Sequence, residues 1–228
     1  MLSSKDYLLE NTSKVKYFKM PGTTQRLLTI APYHTMCTEF KEFRMDSFLR
    51  FLDKTKAKGR VLPFVRGLRL SAHLIYTLRD FLKGSNLTAD WGHLLVDEGE
   101  ICSVECDIII HKKCKSYKWN GHKKSIMDFR FVPQEYAVAV ISCKSYIRST
   151  DIEVAYFNDL NKYIDKIWLF AECCGPRSYE SIRKKAIEIG YENFWSLYTY
   201  SSKGRINMKE EIWLDFVSQI DALKTQFR

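Results

Sequence analysis

Between Ser103 and Lys144 the chain carries two short apolar runs that end in polar groups, and this pair constrains the fold more than any other stretch. The first reads Ser-Val-Glu-Cys-Asp-Ile-Ile-Ile and is rich in β-branched residues; the second ends Ala-Val-Ala-Val-Ile-Ser-Cys-Lys. Tyr136 to Ile141 is continuously apolar, the pattern of a strand covered on both faces. Side chains alternate along a strand, so Glu105 and Asp107 share one face, as do Ser142 and Lys144. Polar groups at the ends of buried runs are costly without a partner. A carboxylate on one strand beside a lysine on the next therefore reads as a place for a divalent metal and a phosphate. The plainer reading is a buried ion pair between neighbouring strands, although desolvation makes such pairs weak stabilisers.

The rest of the chain supplies helices around these strands. Residues 1–60 mix apolar and basic groups; Phe40, Phe43, Phe48, Leu49 and Leu52 predict an amphipathic helix closed by Lys58-Gly59-Arg60. From Pro63 to Leu82 the apolar residues recur at helical spacing, and Lys83-Gly84-Ser85-Asn86 ends the run. Strands are predicted at 89–96, 102–110 and 135–144, with Asn120-Gly121 as a hairpin signal between the last two. A helix follows from Ser149 or Thr150 to Ile164, where Thr150 and Glu153 are spaced as a capping box. A strand at 166–173, a helix at 178–189, a strand at 194–198 and a helix at 208–223 complete the order α-β-β-β-α-β-α-β-α. That order predicts an α/β fold with a mixed sheet flanked by helices, with 1–60 as a mostly helical N-terminal extension and 61–228 as the core.

Asp107 on one strand, followed one strand later by Ser142-x-Lys144, resembles the PD-(D/E)XK nucleases, the restriction-endonuclease-like superfamily. There an acid on one strand precedes an acidic-x-Lys motif on the next; here Ser142 stands in the place of the second acid. The resemblance covers about 165 residues, from Pro63 to the end. It implies a restriction-endonuclease-like core, a Mg²⁺-dependent DNA endonuclease of restriction or defence type, and Mn²⁺ as a substitute cation. Asp107 would be the main metal ligand, with the backbone carbonyl of Cys143 as a second, and Lys144 would orient the attacking water. In one branch of restriction enzymes resembling this sequence the motif is Ser-x-Lys and the carboxylate comes from the following helix. Glu153 is the candidate for that relocated ligand here, against its plainer role in a helix cap. Glu105 is a further candidate ligand or water-positioning base, against pairing with a lysine. Many relatives also present a glutamate from the helix before the first strand; here that helix offers only Ser71 and His73. The same departures suit a second reading, a catalytically inactive nucleic-acid-binding or regulatory module of the same fold. The superfamily further implies a homodimer or a subunit of a larger defence complex.

Composition narrows the setting. The net charge is +9, and residues 111–124 hold Lys112, Lys113, Lys115, Lys118, Lys123 and Lys124 with Tyr117 and Trp119 and no acid. Cations interleaved with aromatics suit a phosphate backbone and unstacked bases, although most lysine runs are only solvated loops. Lys112, Lys113, Lys115, Lys118, Trp119, Lys123 and Lys124 are thus candidate DNA contacts. No apolar run approaches the roughly 20 residues of a membrane helix, so no membrane partner is expected. Seven cysteines, several inside apolar runs, fit free thiols in a reducing cytoplasm. Cys102-x3-Cys106 and His111-x2-Cys114-x7-His122 raise a zinc site, but neither has the spacing of a knuckle.

Overall fold

The computed structural model describes residues 58–96, 101–114, 117–118, 129–200, 206–208 and 210–228. The predicted helix at 39–56, most of the extension and the Asn120-Gly121 hairpin signal lie outside them. In chain order the elements are α1 (Lys58–Phe81), β1 (Leu87–Val96), β2 (Ile101–Cys102), β3 (Cys106–Lys112), β4 (Tyr117–Lys118), β5 (Phe129–Pro133) and β6 (Ala137–Lys144). They continue as α2 (Val154–Leu160), β7 (Ile167–Cys174), α3 (Tyr179–Ile189), β8 (Asn193–Tyr200), β9 (Ile206–Met208) and α4 (Glu210–Gln226). Two 3-10 turns, Gln134–Tyr136 and Ser149–Asp151, precede β6 and α2.

The described strands form one sheet in the order β4-β5-β1-β3-β6-β7-β8-β9, with β2 paired to β1. β1, β3 and β6 are antiparallel neighbours, whereas β6, β7 and β8 run parallel. The parallel half needs crossovers, and α2 and α3 supply them. Both faces are covered, so there are two cores. On one face Leu70, Leu74 and Leu78 of α1 and Trp213, Phe216 and Ile220 of α4 meet Ile108, Ile141, Phe170 and Trp195 of the sheet. On the other, Phe157 and Leu160 of α2 and Ile182 and Ala186 of α3 meet Ile109, Val140, Leu169 and Phe194. The burial of β7 is continuous from Ile167 to Cys174, as a central strand between two layers requires.

The fold is the predicted mixed α/β sheet, with three differences in detail. Lys58-Gly59-Arg60, expected as a helix stop, forms the first turn of α1. The strand expected at 102–110 is broken at 103–105 into β2 and β3. The lysine-rich connection is not a simple hairpin between the two central strands. It travels to the sheet's edge, where β4 and β5 pair and β5 adds in parallel to β1. That pairing joins residues distant in sequence, which local propensity does not encode.

Gly92 makes the parallel addition possible. It has φ +150° at an irregularity in the β1 ladder, and a Cβ there would lie 1.8 Å from the backbone oxygen of Arg130. The clash is with backbone, so β5 itself would have to move. Gly92→Ala is expected to cost roughly 3 kcal/mol, strain and overpacking together. A urea midpoint equal to that of the wild type would overturn this.

Candidate functional site

The site arises from the register of β3 and β6. Ile108 pairs with Ile141, Ile109 with Val140 and Ile110 with Ala139; one further step sets Asp107 opposite Ser142. Opposed residues share a face, so Asp107, Ser142 and Lys144 look toward the layer of α2 and α3. Ser142 is buried there. The Cys143 side chain points the other way, into the core beneath α1 and α4, where it hydrogen-bonds with Ser71. Its backbone N–H turns to Asp107 instead and donates to Oδ2 at 2.7 Å.

Beyond Lys144 the chain is pinned to the end of β7. Ile147 bridges Cys174, and its N–H donates to the carbonyl of Cys173 at 3.1 Å. Arg148 then donates to Asp151 Oδ2 from both its backbone N–H, at 3.0 Å, and its Nε, at 3.2 Å. This turn carries the chain back over β6, so that Glu153 Oε1 accepts from Lys144 Nζ at 2.6 Å. The capping box of Thr150 and Glu153 does not form. Thr150 donates to Asp151 Oδ1 at 3.1 Å, and Glu153 stands at the start of α2 without a side-chain capping bond. Lys144 offers Glu153 a charged donor, which makes a stronger hydrogen bond than a neutral amide.

The electrostatics separate the two acids. Burial pushes the Asp107 carboxyl up to about 6, and the nearby charges of Glu105 and Glu153 add to the rise, against the Cys143 N–H and the Lys144 charge. Asp107 is therefore an under-compensated acid and not half of a settled ion pair; the ion pair runs between Lys144 and Glu153. That pair is open to water, with side chains 27% and 58% exposed, so it is easily exchanged for another anion. Glu105 is exposed just ahead of β3, and its Oε1 accepts from Trp91 Nε1 at 2.6 Å, so among the described residues its partner is an indole and not a lysine.

Asp107, Glu153 and the Cys143 carbonyl are hard oxygen donors of the kind Mg²⁺ takes, and a carboxylate raised by burial and like charges is one that a cation would relieve. Among the described residues no three His, Cys, Asp or Glu side chains gather about one point. So sparse a donor set suits a cation that keeps several waters, not a closed zinc site. His111 is committed elsewhere: its Nε2 lies 2.9 Å from Asp90 Oδ2 and its Nδ1 2.7 Å from the Lys112 carbonyl. Asp90 also pairs with Arg79 and Arg130. Burial pushes Asp90 up, but the His111 hydrogen bond and the two arginines outweigh it and hold the carboxyl below its ordinary range.

Of the candidate DNA contacts, the described ones, Lys112, Lys113 and Lys118, lie away from the acids. Lys112 and Lys113 follow Asp107 by most of a strand, about 17 Å along β3. Lys113 Nζ donates to the Ser85 carbonyl at 2.8 Å, and Lys112 Nζ stands 5.5 Å from the centre of the Phe227 ring. Lys118 lies in β4, three strands from β3 in the sheet order. Lys115, Trp119, Lys123 and Lys124 lie outside the described residues. Two tyrosines that no sequence motif singles out lie close enough to feel the charge of the acids. Tyr156 stands one turn after Glu153 on α2, and Tyr191 is buried against Phe157. Burial, then Glu153 and Asp107, hold the Tyr191 phenol above its usual range.

No known family's sequence pattern matches the chain, and no curated protein resembles it in sequence. Solved structures do resemble it in shape. NucC of E. coli MS115-1 in its cAAA-bound form is 11% identical, covers 89% of this chain and 93% of its own, and has a TM-score of 0.53. NucC of P. aeruginosa ATCC27853, also cAAA-bound, is 12% identical over 89% of this chain and 92% of that one, with a TM-score of 0.51. The chain shares with them a mixed sheet flanked by helices. At such identity the likeness shows the fold alone, and what the site does is a question for its own residues. No helix among the described residues is long and apolar enough to cross a membrane.

Proposed function

We propose that this chain is a Mg²⁺-dependent endonuclease that hydrolyses phosphodiester bonds of DNA, with Mn²⁺ as a substitute cation. The observation that carries it is the meeting of Asp107, held up by burial, with Lys144 and Glu153 at the end of β6. Asp107 would hold the cation, with Glu153 and the Cys143 carbonyl as further oxygen donors. Bound Mg²⁺ supplies an acidified water and a counter-charge for phosphate oxygens. Lys144 leaves its exposed pair with Glu153 to meet the phosphate and orient the attacking water as a fixed cation. Ser142, too short to reach as an acid would, fills the space opposite Asp107.

Ser142 also favours a second reading, a module of the same fold that binds nucleic acid without cutting. One assay separates the two: plasmid and linear DNA incubated with Mg²⁺, Mn²⁺ or EDTA. Cutting with either metal and none in EDTA is expected. cAAA, the ligand in both NucC structures, belongs in a parallel series as a candidate activator. DNA binding without cutting in every condition, cAAA included, would favour the binding module. A homodimer or a larger defence assembly in the cytoplasm is the setting this reading implies.

A further inference from the structure

Resting on that reading of the site, we propose that Tyr156 is a hydrogen-bond donor to an oxygen bound at Asp107, either a water of a hydrated divalent cation or a non-bridging phosphate oxygen. Tyr156 occupies the third position of α2. Tyr156 follows by three residues the N-cap Glu153, whose carboxylate already reaches Lys144. The ring packs on the core formed by Cys106, Ile109 and Val140, the face from which Asp107 also projects. Its hydroxyl is buried there and has no hydrogen-bond partner among the described residues.

A buried hydroxyl without a partner is costly. Phenylalanine would fill the same volume without that cost, so packing alone does not account for the oxygen. Asp107 presents Oδ2 to the Cys143 N–H, which leaves Oδ1 for a ligand. Burial, then neighbouring ionisable groups that include Cys106 and Asp107, hold the Tyr156 phenol well above its usual range. It therefore keeps its proton and serves as a donor. A bound oxygen is the acceptor that would complete it. Asp107 lies close enough to act on the phenol, so a ligand oxygen bound at the acid would answer both groups.

The test compares wild type, Tyr156→Phe and Asp107→Asn in two titrations: Ca²⁺ alone by calorimetry, and a short DNA duplex in EDTA by fluorescence anisotropy. Tyr156→Phe is expected to leave the thermal midpoint of the metal-free protein unchanged or slightly higher, and to weaken one titration roughly tenfold. Loss in the Ca²⁺ arm assigns the oxygen to the cation's water; loss in the DNA arm assigns it to a phosphate. Affinities equal to the wild type in both arms, or a lowered midpoint with unchanged affinities, would show the hydroxyl to be structural and overturn the proposal. Asp107→Asn keeps this separate from the parent reading. If it too leaves Ca²⁺ binding intact, the cation site itself is wrong, whatever Tyr156 does.

Discussion

Asp107→Asn is expected to make the metal-free protein more stable at pH 7.5 while removing its ability to cut DNA. In the folded chain burial holds the Asp107 carboxyl at about 6, against an ordinary value of about 3.9. The folded state thus binds this proton more tightly than the unfolded state. Its contribution to stability is complete below about pH 4 and is lost as pH rises through 6. Above that, the charged group costs up to about 2 kcal/mol after allowance for its partial access to solvent. Asparagine carries no charge to bury, and its side-chain oxygen can still accept from the Cys143 N–H. The midpoint of the variant should exceed that of the wild type by several degrees at pH 7.5 in EDTA, and the gap should close near pH 4. Mg²⁺ should stabilise the wild type and not the variant. A variant less stable at pH 7.5, or a gap that does not change with pH, would show that Asp107 is not the strained acid described above.

Lys144→Ala should lower the cleavage rate by about a thousandfold, the scale of losing one preorganised charge at a phosphate, while leaving fold and DNA affinity nearly intact. Stability should barely change, because the pair with Glu153 is exposed and such pairs contribute at most about 1 kcal/mol. DNA affinity should hold because one cation among many phosphate contacts carries a small share of it. Single-turnover cleavage measured beside anisotropy separates the two quantities. Retained cutting would remove Lys144 from the mechanism. Lost binding with lost cutting would make it an anchor for the DNA backbone.

The central pair was readable because strands alternate with a fixed period. Ser142 and Lys144 could be set on one face from their numbers alone, and the antiparallel ladder of β3 and β6 brings Asp107 to that face. Glu153 was readable as a candidate but not in its role. Thr150 and Glu153 have the spacing of a capping box, and only the capture of Thr150 and Arg148 by Asp151 leaves Glu153 to Lys144. The lysines after Ile110 show what composition leaves out. Their run joins the two central strands and suggests nucleic-acid contact, but composition does not carry the partners of any one lysine. The partners of Lys112 and Lys113 come from Phe227 and Ser85, far off in sequence, at the other end of β3. By its spacing Tyr156 is one more residue of the apolar side of α2. Its sequence neighbours explain the ring well, and nothing local reveals that the hydroxyl lacks a partner.

The two cores of the sheet meet in one peptide unit. Cys143 sends its side chain toward Ser71 and the helices behind the sheet, and its N–H to the carboxylate in front. Asp107 is therefore aligned from the back of the molecule. The packing of α1 sets the height of β6, and the height of β6 sets whether the amide reaches the acid. A cysteine-sized side chain keeps that reach; a bulkier one would lift the strand off α1 and draw the amide away. Evolution can thus tune the front of this molecule through residues that no ligand ever meets, and the tolerance of position 143 is decided by neighbours on the side without chemistry.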